Sequence, residues 1–177
     1  MPNVIVRPAA LADLPRLTEI HNHYVSNTHI TFDVQPFRPE QRVAWFHDHS
    51  DGRRYRLLVA DDAVRGVVGY ACTGRFRTKE AYDTTVEASV ACAPDAVRKG
   101  LGTLLYAALF EAIADQDINR IVAGIAQPNP ASNALHRRFG FRSIGTFSQV
   151  GRKFEKYWDV MWMERTLHLS GEDSRQK

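Results

Sequence analysis

Cysteine is scarce in this sequence: Cys72 and Cys92 are the only two, and they do not form a Cys-x-x-Cys pair. This spacing gives no sign of a disulfide framework or of a thiolate metal site. Both residues fall within apolar, strand-like runs, so we expect reduced thiols in a protein core.

Long apolar runs are also missing. No stretch approaches the ~18 apolar residues of a membrane-spanning helix, and residues 1–14 lack the basic-then-apolar order of a signal peptide. We therefore expect a soluble, cytoplasmic protein with no membrane partner.

A strong excess of one charge is absent too. The net charge is +3 over 177 residues, which is far below the basic density of a nucleic-acid-binding arm. This balance favours small anionic ligands, and we expect no nucleic-acid partner.

Four of the histidines lie in two close pairs, His21 with His23 and His47 with His49. Residues two apart on a helix point to different faces, and no cysteine or paired carboxylate completes a ligand set. We expect no metal cofactor.

Hydrophobic residues make up 44% of the chain, enough for one α/β core. We expect one domain over residues 1–167 and a polar tail over residues 168–177. Periodicity and turn residues predict one strand, two helices, three strands, a helix, a strand, a helix and two strands. The strands are predicted at 3–8, 56–60, 64–72, 84–93, 119–127 and, as a pair, within 140–167, and the helices at 13–25, 39–49, from about 100, and at 130–139. This order favours a mixed sheet with helices on its faces.

Residues 98–113 begin with two cations and two glycines and continue as an amphipathic helix. Its predicted core face consists of Leu101, Leu104, Leu105, Ala108, Leu109, Ala112 and Ile113. Free N–H groups in the first turn, the helix dipole and the close approach allowed by glycine would stabilise an anion there. An ordinary helix start with solvated basic residues is the alternative. The turn lacks G-x-G-x-x-G spacing, which argues against a dinucleotide-binding fold.

Three further segments carry a resemblance: "IHNHYV" at 20–25, "AYDTTVEASV" at 81–90 and "LHRRFGF" at 135–141. In this order, with the glycine turn, they resemble the GNAT superfamily of N-acetyltransferases and within it the phosphinothricin and methionine sulfone (sulfoximine) acetyltransferase group. The resemblance extends from about Val6 to Leu167. It implies the GNAT fold, with helices on both faces of a mixed, mostly antiparallel sheet of about six to seven strands. It also implies acetyl-coenzyme A (acetyl-CoA) as cosubstrate and a homodimer.

The resemblance assigns cofactor-binding residues by position. The pyrophosphate would lie against Arg98, Lys99, Gly100, Leu101, Gly102 and Thr103. Backbone groups of Val90, Ala91 and Cys92 would pair with the pantetheine arm and the acetyl carbonyl, and Asn129 and Ser132 would contact the pantetheine or adenosine part. Val97 departs from the Gln or Arg usual in the family, so a side-chain contact is lost there. A covalent acetyl group on Cys92 is the alternative, which the lack of an adjacent base disfavours.

Acetyl transfer to an amine requires a proton acceptor, and the alternation of the 84–93 strand places Glu87 on the face opposite Val86, Ala88, Val90 and Cys92. Glu87 stands at the position that the resembled group uses as general base. Solvation of an exposed sheet face is the alternative reading of this carboxylate.

His136 is the second catalytic candidate. Asn129 and Pro130 are typical of a helix start and Gly140 of a helix end, so Ser132 and His136 share a helix face at i, i+4. By resemblance His136 would give a proton to the departing thiolate or relay the amine proton. A half-exposed histidine that only solvates its helix is the alternative.

The segment "GRFRTKEAYD" gathers Arg75, Arg77 and Lys79 ahead of Tyr82. Guanidinium groups bind carboxylates in bidentate fashion, and the resembled enzymes hold small anionic amino-acid analogues with this segment. Phe32 would form an apolar wall. A solvated hairpin loop is the alternative, and Thr84 replaces an aromatic residue that is frequent in the phosphinothricin enzymes.

These residues together predict direct acetyl transfer from acetyl-CoA to the amine of a small amino acid or analogue, in a ternary complex. Two other functions fit the same sequence: a domain that binds acyl-CoA without catalysis, and an acetyltransferase acting on peptide or protein N-termini. The short cationic segment before Tyr82 speaks against the last.

Overall fold

A computed structural model describes residues 4–49, 52–96 and 100–167. The strands are β1 (Val4–Pro8), β2 (Leu57–Asp62), β3 (Gly66–Arg75), β4 (Thr85–Cys92), β5 (Arg120–Ala126), β6 (Arg142–Lys153) and β7 (Lys156–Thr166). The α-helices are α1 (Leu14–Asn27), α2 (Val43–Asp48), α3 (Leu101–Ala112) and α4 (Pro130–Arg138), and short 3-10 turns precede α1, α2, β4 and α3. The predicted element order is confirmed.

The strands form one sheet in the order β1-β2-β3-β4-β5-β7-β6. Within the described strands, β4 and β5 are parallel and the other neighbours are antiparallel. The predicted mixed, mostly antiparallel sheet of six to seven strands is therefore confirmed, with seven.

Helices cover both faces of the sheet centre. Eight consecutive residues of β3, 67–74, are buried, which requires cover on both sides because successive side chains point to opposite faces. On one face the Leu105 side chain of α3 approaches Gly69, and on the other Trp45 of α2 packs edge-on against Tyr70.

The buried face of α3 differs from the predicted one. Tyr106 and Phe110 are buried, whereas Leu104, Ala108 and Ala112 are half-buried. The cause is α4, because the Phe139 ring at its C-terminal end packs against Tyr106 at 5.6 Å and Phe110 at 5.4 Å. Packing against α4 therefore shifts the buried face of α3 toward Tyr106 and Phe110.

The boundaries of two elements also differ from the predicted ones. The predicted turn at residues 61–63 belongs partly to β2, which extends to Asp62, and the Asp62 carboxylate accepts the N–H groups of Val64 and Arg65 to form the turn itself. The predicted helix at 39–49 is a 3-10 turn, Pro39–Arg42, followed by the short helix α2.

Candidate active site

The two parallel strands diverge at their C-terminal halves. Pairing of β4 with β5 ends at Glu87 and Val122, but β4 continues to Cys92 and β5 to Ala126. We call the space between residues 88–92 and 123–126 the β4–β5 gap. An extended ligand inserted there would lie alongside a strand edge that has no neighbouring strand.

The strand register shows which backbone groups face the gap. The Thr84 carbonyl accepts the N–H of Asn119 on the β5 side, and the Ala93 N–H donates to the Val68 carbonyl on the β3 side, 2.8 Å in each case. Because backbone groups of successive residues point to alternate edges of a strand, the N–H and C=O of Val90 and Cys92 point into the gap.

Glu87 lies where the gap begins. Its side chain is half-buried, and the backbone N–H of Gly124 on β5 is near enough to lower the pKa of its carboxyl. Burial raises the pKa of Glu87 above its usual value, while the charge of Arg77 and the Gly124 N–H oppose the rise. The carboxylate is therefore a stronger base than a solvated glutamate.

The N-terminus of α3 carries the glycine turn. Gly100 is its N-cap, with φ at 102°, a left-handed conformation that glycine adopts without strain. A Cβ at Gly102 would lie 3.1 Å from the Leu135 side chain of α4, so glycine here also lets the two helices approach. Leu101 is buried and Thr103 half-buried. Val97, Arg98 and Lys99 lie outside the described residues.

The start of α4 follows the sequence pattern. The Asn129 side chain accepts the Ser132 N–H at 3.1 Å, so Asn129 is an N-cap as predicted. Gly140, just past the helix, has φ at 79°. Ser132 and His136 share one face, with their Oγ and Nδ1 atoms 3.3 Å apart.

His136 is buried, with 3% of its surface exposed. Its Nδ1 lies 2.8 Å from the Ser132 carbonyl, and its Nε2 lies 3.0 Å from the Tyr106 hydroxyl. Burial lowers the pKa of His136, so the ring is neutral near pH 7. Because a carbonyl only accepts, Nδ1 carries the proton and Nε2 accepts from Tyr106. Both ring nitrogens are thus engaged inside the protein.

Tyr106 packs against this histidine from α3. The residue is fully buried, and burial raises the pKa of its hydroxyl, with smaller contributions from Cys72 and Glu87. Tyr106 was not among the residues predicted from the sequence. Its spacing of four residues from Phe110, which pairs the two rings on one helix face, was the available signal.

The predicted acceptor-binding cations divide into two groups. Arg77 stacks on the Phe76 ring at 4.3 Å, and its positive charge lowers the pKa of Glu87. Arg75 instead approaches the Tyr55 hydroxyl at 3.5 Å. Lys79 is exposed, and so is Tyr82.

Tyr82 joins a run of rings that leads toward Gly124. Phe76 packs edge-on against Tyr82 at 5.8 Å and against Trp162 at 6.0 Å. A Cβ at Gly124 would lie 3.2 Å from the Trp162 ring. The structure therefore brings Arg77 and, through these rings, Tyr82 to the side of the sheet on which Glu87 and Gly124 lie.

Phe32 lies in the loop after α1, and its ring rests directly on the backbone of Gly151 in β6. The loop is held by Lys153, a buried lysine whose Nζ donates to the Thr31 carbonyl at 2.8 Å. A hydrogen bond of 2.8 Å between His21 Nε2 and the Asp33 carboxylate fixes the loop from the helix side.

Sequence reasoning also missed the contact of Tyr24 with the end of β4. The Tyr24 hydroxyl lies 2.5 Å from the Cys92 carbonyl, which faces the gap. Tyr24 is part of the "IHNHYV" segment, so the resemblance had marked the segment but not the role of this hydroxyl.

Both cysteines are free thiols. Burial raises the pKa of Cys92 to about 11 and that of Cys72 to about 12. Neither is ionised near pH 7, and this disfavours nucleophilic catalysis by Cys92.

The described residues offer neither a metal site nor a membrane-spanning helix. Their His, Cys, Asp and Glu side chains form no group of three or more able to hold a metal ion. Every helix within these residues is too short or too polar to span a bilayer.

Comparison with known proteins identifies the family. The model of the acetyltransferase (GNAT) family matches residues 17–141. A phosphinothricin N-acetyltransferase from Streptomyces coelicolor is 53% identical, with 93% of this chain and 96% of the relative covered. An L-methionine sulfoximine/L-methionine sulfone acetyltransferase from Pseudomonas paraeruginosa is 41% identical, with 92% and 94% covered.

The fold comparison agrees. The crystal structure of a GNAT superfamily phosphinothricin acetyltransferase from Sinorhizobium meliloti in complex with acetyl-CoA superposes with a TM-score of 0.87, at 31% identity, covering 93% of this chain and 88% of the other. This chain belongs to the acetyltransferase (GNAT) family, and it is an acetyl-CoA-dependent N-acetyltransferase.

Proposed function

We propose that this enzyme acetylates the amine of a small amino acid or analogue of the phosphinothricin, methionine sulfoximine or methionine sulfone type, by direct transfer in a ternary complex. The observation that carries the proposal is the β4–β5 gap with the Glu87 carboxylate where the strands part. The activities named for relatives 53% and 41% identical support this substrate class.

The gap and the α3 turn would hold acetyl-CoA. Backbone groups of Val90 and Cys92, which point into the gap, are proposed to pair with the pantetheine arm and the acetyl carbonyl. The assignment of Ala91 to this role is corrected, because alternation turns its backbone groups to the β3 side. The proposed pyrophosphate site comprises Arg98, Lys99, Gly100, Leu101, Gly102 and Thr103. Since Leu101 is buried, its contribution would come from the backbone. Asn129, already the cap of α4, and Ser132 would border the rest of the cosubstrate.

Glu87 would act as the general base. The amine nitrogen attacks the thioester carbonyl carbon, and its C–N bond forms while the C–S bond breaks. The α-ammonium group first loses one proton to Glu87, directly or through a water. After the attack the nitrogen loses a second proton, which goes to the departing thiolate, so that the amide and the free thiol of CoA remain. The raised pKa of Glu87 brings the carboxylate closer to the pKa of about 8 of an α-ammonium group.

His136 would take part indirectly. Because Nδ1 donates to the Ser132 carbonyl and Nε2 accepts from Tyr106, the neutral ring has no proton on Nε2 to give to the thiolate. We propose that His136 orients the Tyr106 hydroxyl rather than donating a proton itself.

The acceptor would bind on the Glu87 side of the sheet. Arg77 is the proposed partner of its carboxylate or phosphinate, with Arg75 and Lys79 adding positive charge nearby. Tyr82 and Phe32 are the proposed apolar walls.

We further propose a homodimer that uses β6. This strand lies at the edge of the sheet, and nine consecutive residues, 143–151, carry no charge. Its exposed apolar side chains are Ile144, Phe147 and Val150, joined by Phe154 and Tyr157 after it. Long uncharged edges are protected in soluble proteins, and antiparallel pairing of β6 with its own copy would cover this one. Since Phe32 packs on Gly151 of the same strand, the acceptor wall adjoins that interface.

We propose a cytoplasmic location. Cys72 and Cys92 are free thiols, as in proteins of reducing compartments.

Thiol release from acetyl-CoA tests the activity. The panel contains free amino acids, phosphinothricin, methionine sulfoximine, methionine sulfone and short peptides, and acetyl-CoA binding is followed by calorimetry. We expect turnover on at least one small anionic amine, and a Glu87→Gln enzyme that binds acetyl-CoA as before but has a kcat lower by about 10²–10⁴-fold.

Turnover on peptides alone would contradict the substrate class. Binding of acetyl-CoA without turnover on any amine would contradict the catalytic role. Full activity of Glu87→Gln at every pH would remove the base assignment.

A further inference from the structure

We propose that Tyr24 is a positioning residue: its hydroxyl fixes the end of β4 so that the Cys92 N–H points at the acetyl carbonyl of the donor. The inference rests on the proposed function of the β4–β5 gap and adds a residue from α1, an element to which no role in the site has been given.

The contact joins two distant parts of the chain. Tyr24 lies in the C-terminal half of α1 and is half-buried, and its Oη is 2.5 Å from the Cys92 oxygen, 68 residues away. The hydroxyl must be the donor because a carbonyl only accepts. Since the Cys92 carbonyl faces the gap, the phenol reaches over the open edge of β4.

This hydrogen bond fixes one peptide plane from both sides. The Cys92 carbonyl and the Ala93 N–H belong to the same peptide unit, and the Ala93 N–H donates to the Val68 carbonyl at 2.8 Å on the β3 side. Tyr24 holds the opposite end of that unit in the gap. With both ends held, the ψ angle of Cys92 has little freedom.

The amide that benefits is the N–H of Cys92 itself. In a strand, the N–H and C=O of one residue lie on the same edge, so the phenol oxygen sits beside the Cys92 N–H. On the gap side no strand pairs with this residue among the described strands. Without Tyr24 the end of β4 would be held in place from the β3 side alone.

Tyr24 is itself held rigidly. Its own carbonyl accepts the Thr28 hydroxyl at 2.9 Å and the Lys153 ammonium at 3.4 Å. Lys153 is buried and also binds the Thr31 carbonyl. The last turns of α1 are thereby tied to β6, and the phenol is carried on a fixed element.

The Tyr24 hydroxyl is suited to holding a peptide rather than to moving a proton. Burial raises the pKa of Tyr24 above its usual value of 10.0, so the hydroxyl remains neutral across the pH range of the reaction. Its single hydrogen is committed to Cys92. A misdirected oxyanion donor costs catalysis steeply, since donors must point at the position where charge develops.

The test is Tyr24→Phe, which removes the hydroxyl and keeps the ring. Steady-state kinetics would give kcat and the KM for the amine, and calorimetry would give the Kd of acetyl-CoA and of CoA. We expect kcat to fall by about 10–100-fold, with the KM for the amine unchanged. Acetyl-CoA should lose affinity relative to CoA, because only the acetylated form has the carbonyl that Cys92 would bind.

Thr18→Val is the matched control. Thr18 lies on the same helix, is 2% exposed, and its hydroxyl donates to the Leu14 carbonyl at 2.7 Å, so its loss reports the cost of deleting a buried hydroxyl of α1 that does not reach the gap. We expect this variant to keep the wild-type ratio of the acetyl-CoA and CoA affinities.

Three results would overturn the inference. The first is a Tyr24→Phe enzyme with wild-type kcat and affinity ratio. The second is equal loss of affinity for acetyl-CoA and CoA together with a lower melting temperature, which would indicate a purely structural role. The third is a wild-type protein that binds neither compound, which would overturn the proposed function first and the inference with it.

Discussion

At the scale of single residues, the environment of Glu87 decides its chemistry. Burial raises its pKa, whereas Arg77 and the Gly124 N–H lower it. A base works in its deprotonated form, so kcat/KM should be lost as the pH falls through the pKa of Glu87. The pH at which kcat/KM falls on the acid side therefore reports the pKa of Glu87, which is set by burial, Arg77 and the Gly124 N–H together.

Arg77→Gln tests that balance. Removing the positive charge takes away an influence that lowers the pKa of Glu87, so the acid limb of kcat/KM should move to higher pH. Arg75→Gln is the control, because Arg75 lies on the same segment but contacts Tyr55 and is not among the groups that shift Glu87. For this variant, kcat/KM should fall on the acid side at the same pH as in the wild type.

Both substitutions are measured as pH–rate profiles at low concentrations of the amine. An acid limb that stays in place in Arg77→Gln, or that moves equally in both variants, would contradict the account of Glu87.

At the scale of elements, β3 and β4 are packed so closely that one glycine sets their spacing. A Cβ at Gly69 would lie 2.9 Å from the Ala91 carbonyl oxygen and 3.2 Å from a methyl group of Leu105. The oxygen belongs to the backbone of β4, so an added Cβ can be accommodated only if β4, the strand that borders the gap, moves away.

Gly69→Ala should therefore lower the free energy of unfolding by about 1–3 kcal/mol, as overpacked core substitutions do, and should also reduce kcat by displacing residues 90–92. Urea unfolding at one protein concentration measures the first effect. Gly145→Ala is the control, because no atom lies within 4 Å of its Cβ position. Equal free energies of unfolding of the two variants would contradict the prediction, because β4 could then move away from the added Cβ without destabilising the fold.

The elements also show what sequence reasoning can reach. Strand and helix positions follow local periodicity, and the Asn129 cap and the Gly140 stop of α4 were predicted because caps depend on neighbouring residues. The buried face of α3 was not predicted correctly. Tyr106 is buried by α4, a contact between helices that no local pattern contains.

At the scale of the whole molecule, the most unusual feature is the apolar edge formed by β6. Phe147 is 58% exposed in the middle of the uncharged segment 143–151. Protein edges of this kind are normally shortened, charged or covered, and we have proposed a second copy of the chain as the cover.

Phe147→Lys should convert the proposed dimer into monomers, because a pair of dimer-related strands would then bury two positive charges near each other. Sedimentation velocity over a range of concentrations measures the change. Val64→Lys is the control: Val64 is 84% exposed in the turn between β2 and β3, so the dimer should persist. A wild-type protein that is monomeric throughout would refute the dimer.

The sequence by itself determined the order of the elements, the turn before α3, the cap of α4 and the family resemblance, since these depend on residues close together in the chain. Tertiary structure alone decided that Tyr24 reaches Cys92, that the Gly124 N–H lies near enough to Glu87 to lower its pKa, and that both nitrogens of His136 are engaged. Each of these contacts depends on how strands and helices pack. Periodicity fixes which face of an element is apolar, whereas only packing fixes what that face meets.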